Sequence, residues 1–311
     1  MFNTLSFLAP KLPILVIGLV FSHNFLLGSE PIGQWRFDST TLRGESLKST
    51  VGPWTGKIQG TATLTKEKPF SLEASKEFNG IILSEDVGKA GLPAKDITVS
   101  TWVKVDKAIE WGGLLGAIQD NGSFERGWLL GYGKESFYFA LASENKRKLT
   151  YLKTTLPYSP GYWYHLAGTY DGKNQRIYLD GKLAVESKVQ SGPILYPPKG
   201  RFALGAYTDE NEHYPFEGRI EQVTLWDRAL DPKEIARLFD ERKKLFPSIE
   251  AVPSSSASED WPTFLHDNEQ SGKGVASIQG KLSLRWTHRL RLPPEPAWPP
   301  PAKQDFWHKK Y

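Results

Sequence analysis

The sequence predicts an all-β fold: two antiparallel sheets packed as a sandwich, one short helix near the end of that unit, and an irregular tail. Three observations predict it. The segment Tyr162–Gly181, YWYHLAGTYDGKNQRIYLDG, reads as strand, Asp-Gly turn, strand, Asp-Gly turn. Strand side chains alternate, so Trp163, His165, Ala167 and Thr169 share one face while Tyr164, Leu166, Gly168 and Tyr170 share the other. Large side chains on both faces suit one layer of a sandwich. Apolar and aromatic runs also recur at strand spacing with turn punctuation between them, and no long stretch carries a helical period.

In chain order, Pro31–Phe37 (PIGQWRF) is the first aromatic-bearing strand, and Ile97–Val105 (ITVSTWVKV) is a core strand centred on Trp102. Gly113–Gln119, Arg126–Gly131, Ser136–Ala142 and Leu149–Thr154 follow, with Asp120-Asn121-Gly122 and Glu144–Lys148 as connecting turns. In the central segment, Asp171-Gly172 and Asp180-Gly181 supply the positive φ angles of tight hairpins. Phe216–Leu230 closes the sandwich. The helix is Pro232–Lys243: Asp231 caps it, Pro232 fits its first position, Glu234 completes a capping box, and Ile235, Leu238 and Phe239 make one apolar face.

These motifs carry a resemblance. W-x-H-x-A-x-T-Y-D-G followed by I-Y-x-D-G, here Trp163–Gly172 and Ile177–Gly181, resembles the central signature of laminin-G-like, concanavalin A-like jelly rolls. Ile97–Val105 resembles their early core strand and Phe216–Leu230 their closing strand, so the resemblance spans 31–245 in order. Phe246–Glu259, rich in Pro and Ser, reads as a linker. Beyond it, Asp260–Asn268 (DWPTFLHDN) with Ser271-Gly272 and Leu284-Arg285-Trp286 resembles the opening of a quinoprotein-like (PQQ-type) β-propeller, and Ala297–Trp307 an early loop of propellers that follow jelly rolls in large exported bacterial proteins. A propeller needs about 4–8 four-stranded blades, so residues 260–311 are expected to be an incomplete start of one, in a longer or truncated product.

The chain has 311 residues, enough for one large sandwich and an appendage. It has no cysteine, which excludes disulfides, thiolate metal sites and a cysteine nucleophile. Leu12–Phe21 is an apolar run after Lys11, shorter than the roughly 20 residues of a membrane span. It reads as the core of a signal peptide over residues 1–29, which implies a periplasmic or extracellular protein with no membrane span after cleavage. Net charge is +4, but Lys281, Arg285, Arg289, Arg291, Lys303, Lys309 and Lys310 near the C-terminus face only Glu295 and Asp305 there. The remainder is close to neutral and offers no nucleic-acid face.

Catalytic signatures are missing from the sequence. No strand places two carboxylates at the spacing a glycosidase pair requires, and no G-x-S-x-G or phosphate-binding loop is present. His165 reads as a structural residue beside Trp163, hydrogen-bonded at a sheet edge or the inter-sheet seam. The expected role is therefore a non-catalytic binding module, with a polysaccharide or glycan as the first partner class. The alternatives are a protein-partner or assembly domain, and the front of a quinoprotein-like enzyme. Sugar sites combine aromatics with polar groups, which points to two inter-strand segments. One is Asp120–Arg126, with Asn121, Glu125 and Arg126. The other is Tyr207–Tyr214, with Tyr207, Asp209, Glu212, His213 and Tyr214. The resemblance further implies an oxygen-ligand calcium site at Asn79 and Glu221, positions where related jelly rolls carry aspartates.

Overall fold

The computed structural model describes residues 30–246, so the expected signal peptide, nearly all of the linker, and the propeller-like segment lie outside the described residues. Among the described residues the strands are β1 (Gly33–Trp35), β2 (Leu42–Arg43), β3 (Ser46–Lys48), β4 (Thr55–Leu64), β5 (Leu72–Ser84), β6 (Ile97–Val105), β7 (Gly112–Asn121), β8 (Phe124–Tyr132), β9 (Phe137–Ala142), β10 (Leu149–Lys153), β11 (Trp163–Tyr170), β12 (Gln175–Leu179), β13 (Lys182–Ser187), β14 (Phe202–Leu204), β15 (Ala206–Thr208), β16 (His213–Pro215) and β17 (Gly218–Trp226), followed by helix α1 (Pro232–Arg242). The fold is the expected all-β antiparallel sandwich with one short helix.

Hydrogen bonding runs β10-β9-β8-β7-β14-β5-β17-β6-β11-β12-β13. β5 turns the corner between the layers. Its Leu72–Ala74 end pairs with β17, and its Ile81–Ser84 end pairs with β14. The layers then face each other, with β12 against β9 and β10. The alternation read from Tyr162–Gly181 sets the inner face: Tyr164, Leu166 and Tyr170 join the inter-sheet core, along with Trp128, Leu130 and Tyr132 of β8 and Phe137, Phe139 and Leu141 of β9. Gly168 is required there, because a Cβ would stand 2.7 Å from the Phe139 ring. Trp35, Trp54, Trp128 and Phe202 fill one end with ring centroids 5.7–6.1 Å apart.

The outer face of the second layer departs from the sequence reading. Trp102 is buried, but under α1 rather than between the sheets, with Phe239 and Phe246 stacked on it at 5.6 and 3.9 Å. His165 is its cross-strand neighbour, on a strand flanked by β6 and β12, so it lies at neither an edge nor the inter-sheet seam. Its ring packs on Trp102 and Phe239, and its Nδ1 has no hydrogen-bond partner. Helix α1 is capped as expected: the Asp231 carboxylate accepts from Lys233 N and Glu234 N, and the Glu234 side chain accepts from Asp231 N.

Two buried glutamines stitch the open side of the sandwich. Gln175 Nε2 donates to the carbonyls of Phe139 (2.6 Å) and Thr150 (3.0 Å) in the facing layer. Gln190 Oε1 accepts from Ser143 N and Oγ, while its Nε2 donates to the Lys148 carbonyl and Thr150 Oγ1, all within 2.8 Å. Gln190 is fully buried, so truncation strands several polar groups away from water. Gln190→Ala is expected to cost about 2–4 kcal/mol. Urea unfolding should show this as a lower midpoint at unchanged slope.

Candidate functional site

Two hairpins and one loop enclose an open groove of about 690 Å³. The first hairpin joins β7 to β8 through the two-residue turn Gly122-Ser123, so Asp120, Asn121, Glu125 and Arg126 belong to strand ends rather than to a loop. The second is β15–β16, whose turn is shaped by Asp209: its Oδ1 accepts from Asn211 N (3.0 Å) and Glu212 N (2.8 Å). Its Oδ2 accepts from Asp120 N (3.2 Å), which fixes one hairpin against the other. Glu210 strengthens the joint by accepting from Gln119 Nε2 (2.9 Å) and Asn121 Nδ2 (3.3 Å). The opposite wall is Pro198–Arg201, held by Val87 N donating to the Gly200 carbonyl and by Arg201 Nε donating to Glu85 at 3.0 Å. Ile118 and Phe124 supply apolar lining between the walls.

Aromatic side chains position the second hairpin instead of facing a ligand. Tyr207 is 2% exposed and packs with Ile118, Leu129 and Tyr138 on the outer face of the first layer. Its burial corrects the expectation of a Tyr207 platform. Gly113 makes this possible, since a Cβ there would stand 2.2 Å from the Ala206 carbonyl oxygen. Tyr214 is half-buried against Tyr207 at 5.7 Å, with its hydroxyl donating to Glu212 at 3.2 Å. Trp111 and Tyr151 complete the cluster. The Tyr151 hydroxyl donates to Asp120 at 2.7 Å, and burial first, then neighbouring Tyr207 and Asp120, push its pKa well above the ordinary tyrosine value.

Of the residues expected to bind a ligand, Asn121 and Asp209 line the groove. Glu125 and Arg126 are engaged elsewhere: Glu125 accepts from Leu149 N at 2.8 Å, and the Arg126 guanidinium lies over Phe124 at 4.5 Å. His213 and Asn79 fall together in a neighbouring depression. Phe124 of the expected Asp120–Arg126 segment lines the groove, whereas Glu85, Lys199 and Arg201 lie outside both expected segments. The turn Pro197-Pro198-Lys199-Gly200 was the one local sign of that wall. Glu210 is the joint between the hairpins.

The calcium pair does not fit a metal. Asn79 is exposed and shares its depression with Arg201 and His213. Glu221 is 5% exposed on β17, next to Trp102, and is ion-paired with Arg242 of α1. Burial pushes its carboxyl up to about 7 against the opposing pull of Arg242. Glu221 is thus already committed to Arg242, and no group of three or more His, Asp or Glu is poised for a metal among the described residues.

Pappalysin-1 of Mus musculus is 26% identical over 181 residues, 55% of this chain and 11% of that protein, so the chain matches only about a tenth of its relative's length. Among solved structures, domain 4 of AbnA, a GH43 extracellular arabinanase from Geobacillus stearothermophilus in complex with arabinotriose, superposes with a TM-score of 0.52 at 19% identity, over 67% of this chain and 98% of that one. The botulinum neurotoxin serotype G binding domain gives 0.51 at 15% identity, over 68% and 51%. At such identities the likeness is one of fold. The Laminin_G_3 model, described as the concanavalin A-like lectin/glucanases superfamily, matches residues 79–236, from within β5 to within α1. Spanning half of the sequence, that match makes the chain a member of the Laminin_G_3 family of concanavalin A-like domains.

Proposed function

We propose that the sandwich is a non-catalytic, glycan-binding module of an exported protein. The observation that carries this reading is the groove between the hairpins. It sets apolar Ile118 and Phe124 among hydrogen-bonding side chains of both kinds: donors on Asn121, Lys199 and Arg201, acceptors on Glu85 and Glu210. A sugar presents the same mixture of C–H faces and hydroxyls. Its volume falls within the roughly 300–1,000 Å³ of small-molecule sites. The Asp209 carboxylate is spent on architecture, which speaks for binding rather than catalysis: both its oxygens accept backbone N–H groups. Support by analogy comes from the arabinanase domain, which was solved with arabinotriose. Export rests on the signal-peptide pattern of residues 1–29, and a following propeller rests on the motif of residues 260–311.

Affinity electrophoresis of the full chain through gels containing arabinan, xylan, mannan or β-glucan tests the reading. Retardation by at least one is expected, and Arg201→Ala or Glu210→Ala should weaken it about tenfold, or roughly 1.4 kcal/mol. Unretarded migration in every gel, with capture of a protein partner instead, would favour the assembly-domain alternative.

A further inference from the structure

The groove does not end at its Arg201 wall. A second depression of about 260 Å³ lies on the other side, bounded by Gln59, Asn79 and His213, and Glu85 and Arg201 belong to both hollows. The pair that separates them is low in cover, with Arg201 side chain 50% and Glu85 side chain 70% exposed. Arg201 spends its Nε on Glu85. Its terminal nitrogens point to no other partner among the described residues, so a planar fork of donors stands where the two hollows meet.

The charges of the combined lining select against ionic ligands. Glu85, Asp209 and Glu210 face Lys199 and Arg201 in the larger hollow, three carboxylates against two cations. The smaller hollow adds two amides, Gln59 and Asn79, and His213. Desolvation, and then the nearby Arg201, lower the His213 imidazole pKa, which disfavours a further positive charge there. A polyanion would meet a carboxylate excess, and a polycation would have to compete with Arg201 for Glu85. A hydroxyl-rich neutral chain can use the groups left open, among them the Arg201 terminal nitrogens and the Gln59 and Asn79 amides.

We propose that the two hollows form one continuous track for an uncharged linear oligosaccharide, with the Arg201 fork hydrogen-bonding the chain where it crosses from one to the other. This rests on the glycan-binding reading and deepens it: the ligand is an internal stretch of a neutral polysaccharide, not a terminal sugar or a uronate.

Isothermal titration of the full chain with neutral xylo-, arabino-, manno- and gluco-oligosaccharides, from disaccharide to hexasaccharide, tests it. In the series that binds, affinity should climb about tenfold with length and then level. His213→Ala and, independently, Gln59→Ala should shrink the hexasaccharide-to-disaccharide affinity ratio at least threefold. An oligogalacturonate of equal length should bind at least tenfold more weakly, and the neutral series should be insensitive to salt. Affinity that is flat with length, or tighter for the uronate, overturns the track while leaving the module a glycan binder. Failure of every saccharide to bind overturns both.

Discussion

Glu221→Gln is expected to gain stability relative to the parent protein as pH rises, by roughly 3 kcal/mol between about pH 4.5 and 7. The cause is burial. The Glu221 carboxyl sits beneath α1 at 5% exposure, with Arg242 bonded to one oxygen and the other oxygen without a partner. Burial raises its pKa from 4.5 to about 7. In that window the folded protein holds a proton that the unfolded chain has released. The contribution of Glu221 is therefore complete at low pH and is lost as pH climbs through 7. Glutamine keeps an acceptor for Arg242 and removes the titration. Urea unfolding of both proteins at pH 4.5, 5.5, 6.5 and 7.5 checks it, and a difference that stays level across the series contradicts it.

His165→Leu should produce the opposite slope with a larger amplitude. His165 is 1% exposed, and burial lowers its imidazole pKa from 6.5 to about 3. Between those values the unfolded chain takes up a proton that the folded protein refuses, so the parent loses stability as pH falls. Leucine has no proton to refuse. Its stability relative to the parent should rise by roughly 4–5 kcal/mol as pH drops from 6.5 to 3. Both side chains flank Trp102 in one row across β17, β6 and β11. Between pH 4.5 and 6.5 their slopes oppose each other, at about 1.4 kcal/mol per pH unit each. The parent protein hides both, the single variants expose one apiece, and the double variant should again show neither. A His165→Leu profile parallel to that of the parent would mean the imidazole is solvated or partnered in solution.

Much of the scaffold is legible in the sequence because it is encoded locally. Alternation over Trp163–Tyr170, the Asp180-Gly181 turn with both φ angles positive, and the Asp231–Glu234 capping box all lie within a few residues. The site is less legible because distant segments build it. Tyr207 looks like a platform beside an acidic turn, and what buries it is the missing side chain of Gly113 on another strand. Glu85 and Arg201 meet across 116 positions, and Gln119 and Glu210 across 91. No local period records those meetings. Trp102 shows the same limit within one strand: alternation gives its face, but only the docking of α1 and Phe246 determines that this outward face is covered.

The proposed ligand is a neutral glycan lying between the two hairpins and the Pro198–Arg201 wall. The most direct measurement is residue-resolved NMR of the full chain, titrated with the best-retained oligosaccharide from the gel panel. The predicted result is a contiguous set of amide shifts at Ile118, Asn121, Phe124, Lys199, Arg201 and Glu210, extending to Asn79 and His213 with longer chains. Shifts confined to the hollow around Lys95 and Asp171–Asn174 at a different edge, or no shifts at saturating sugar, would contradict it.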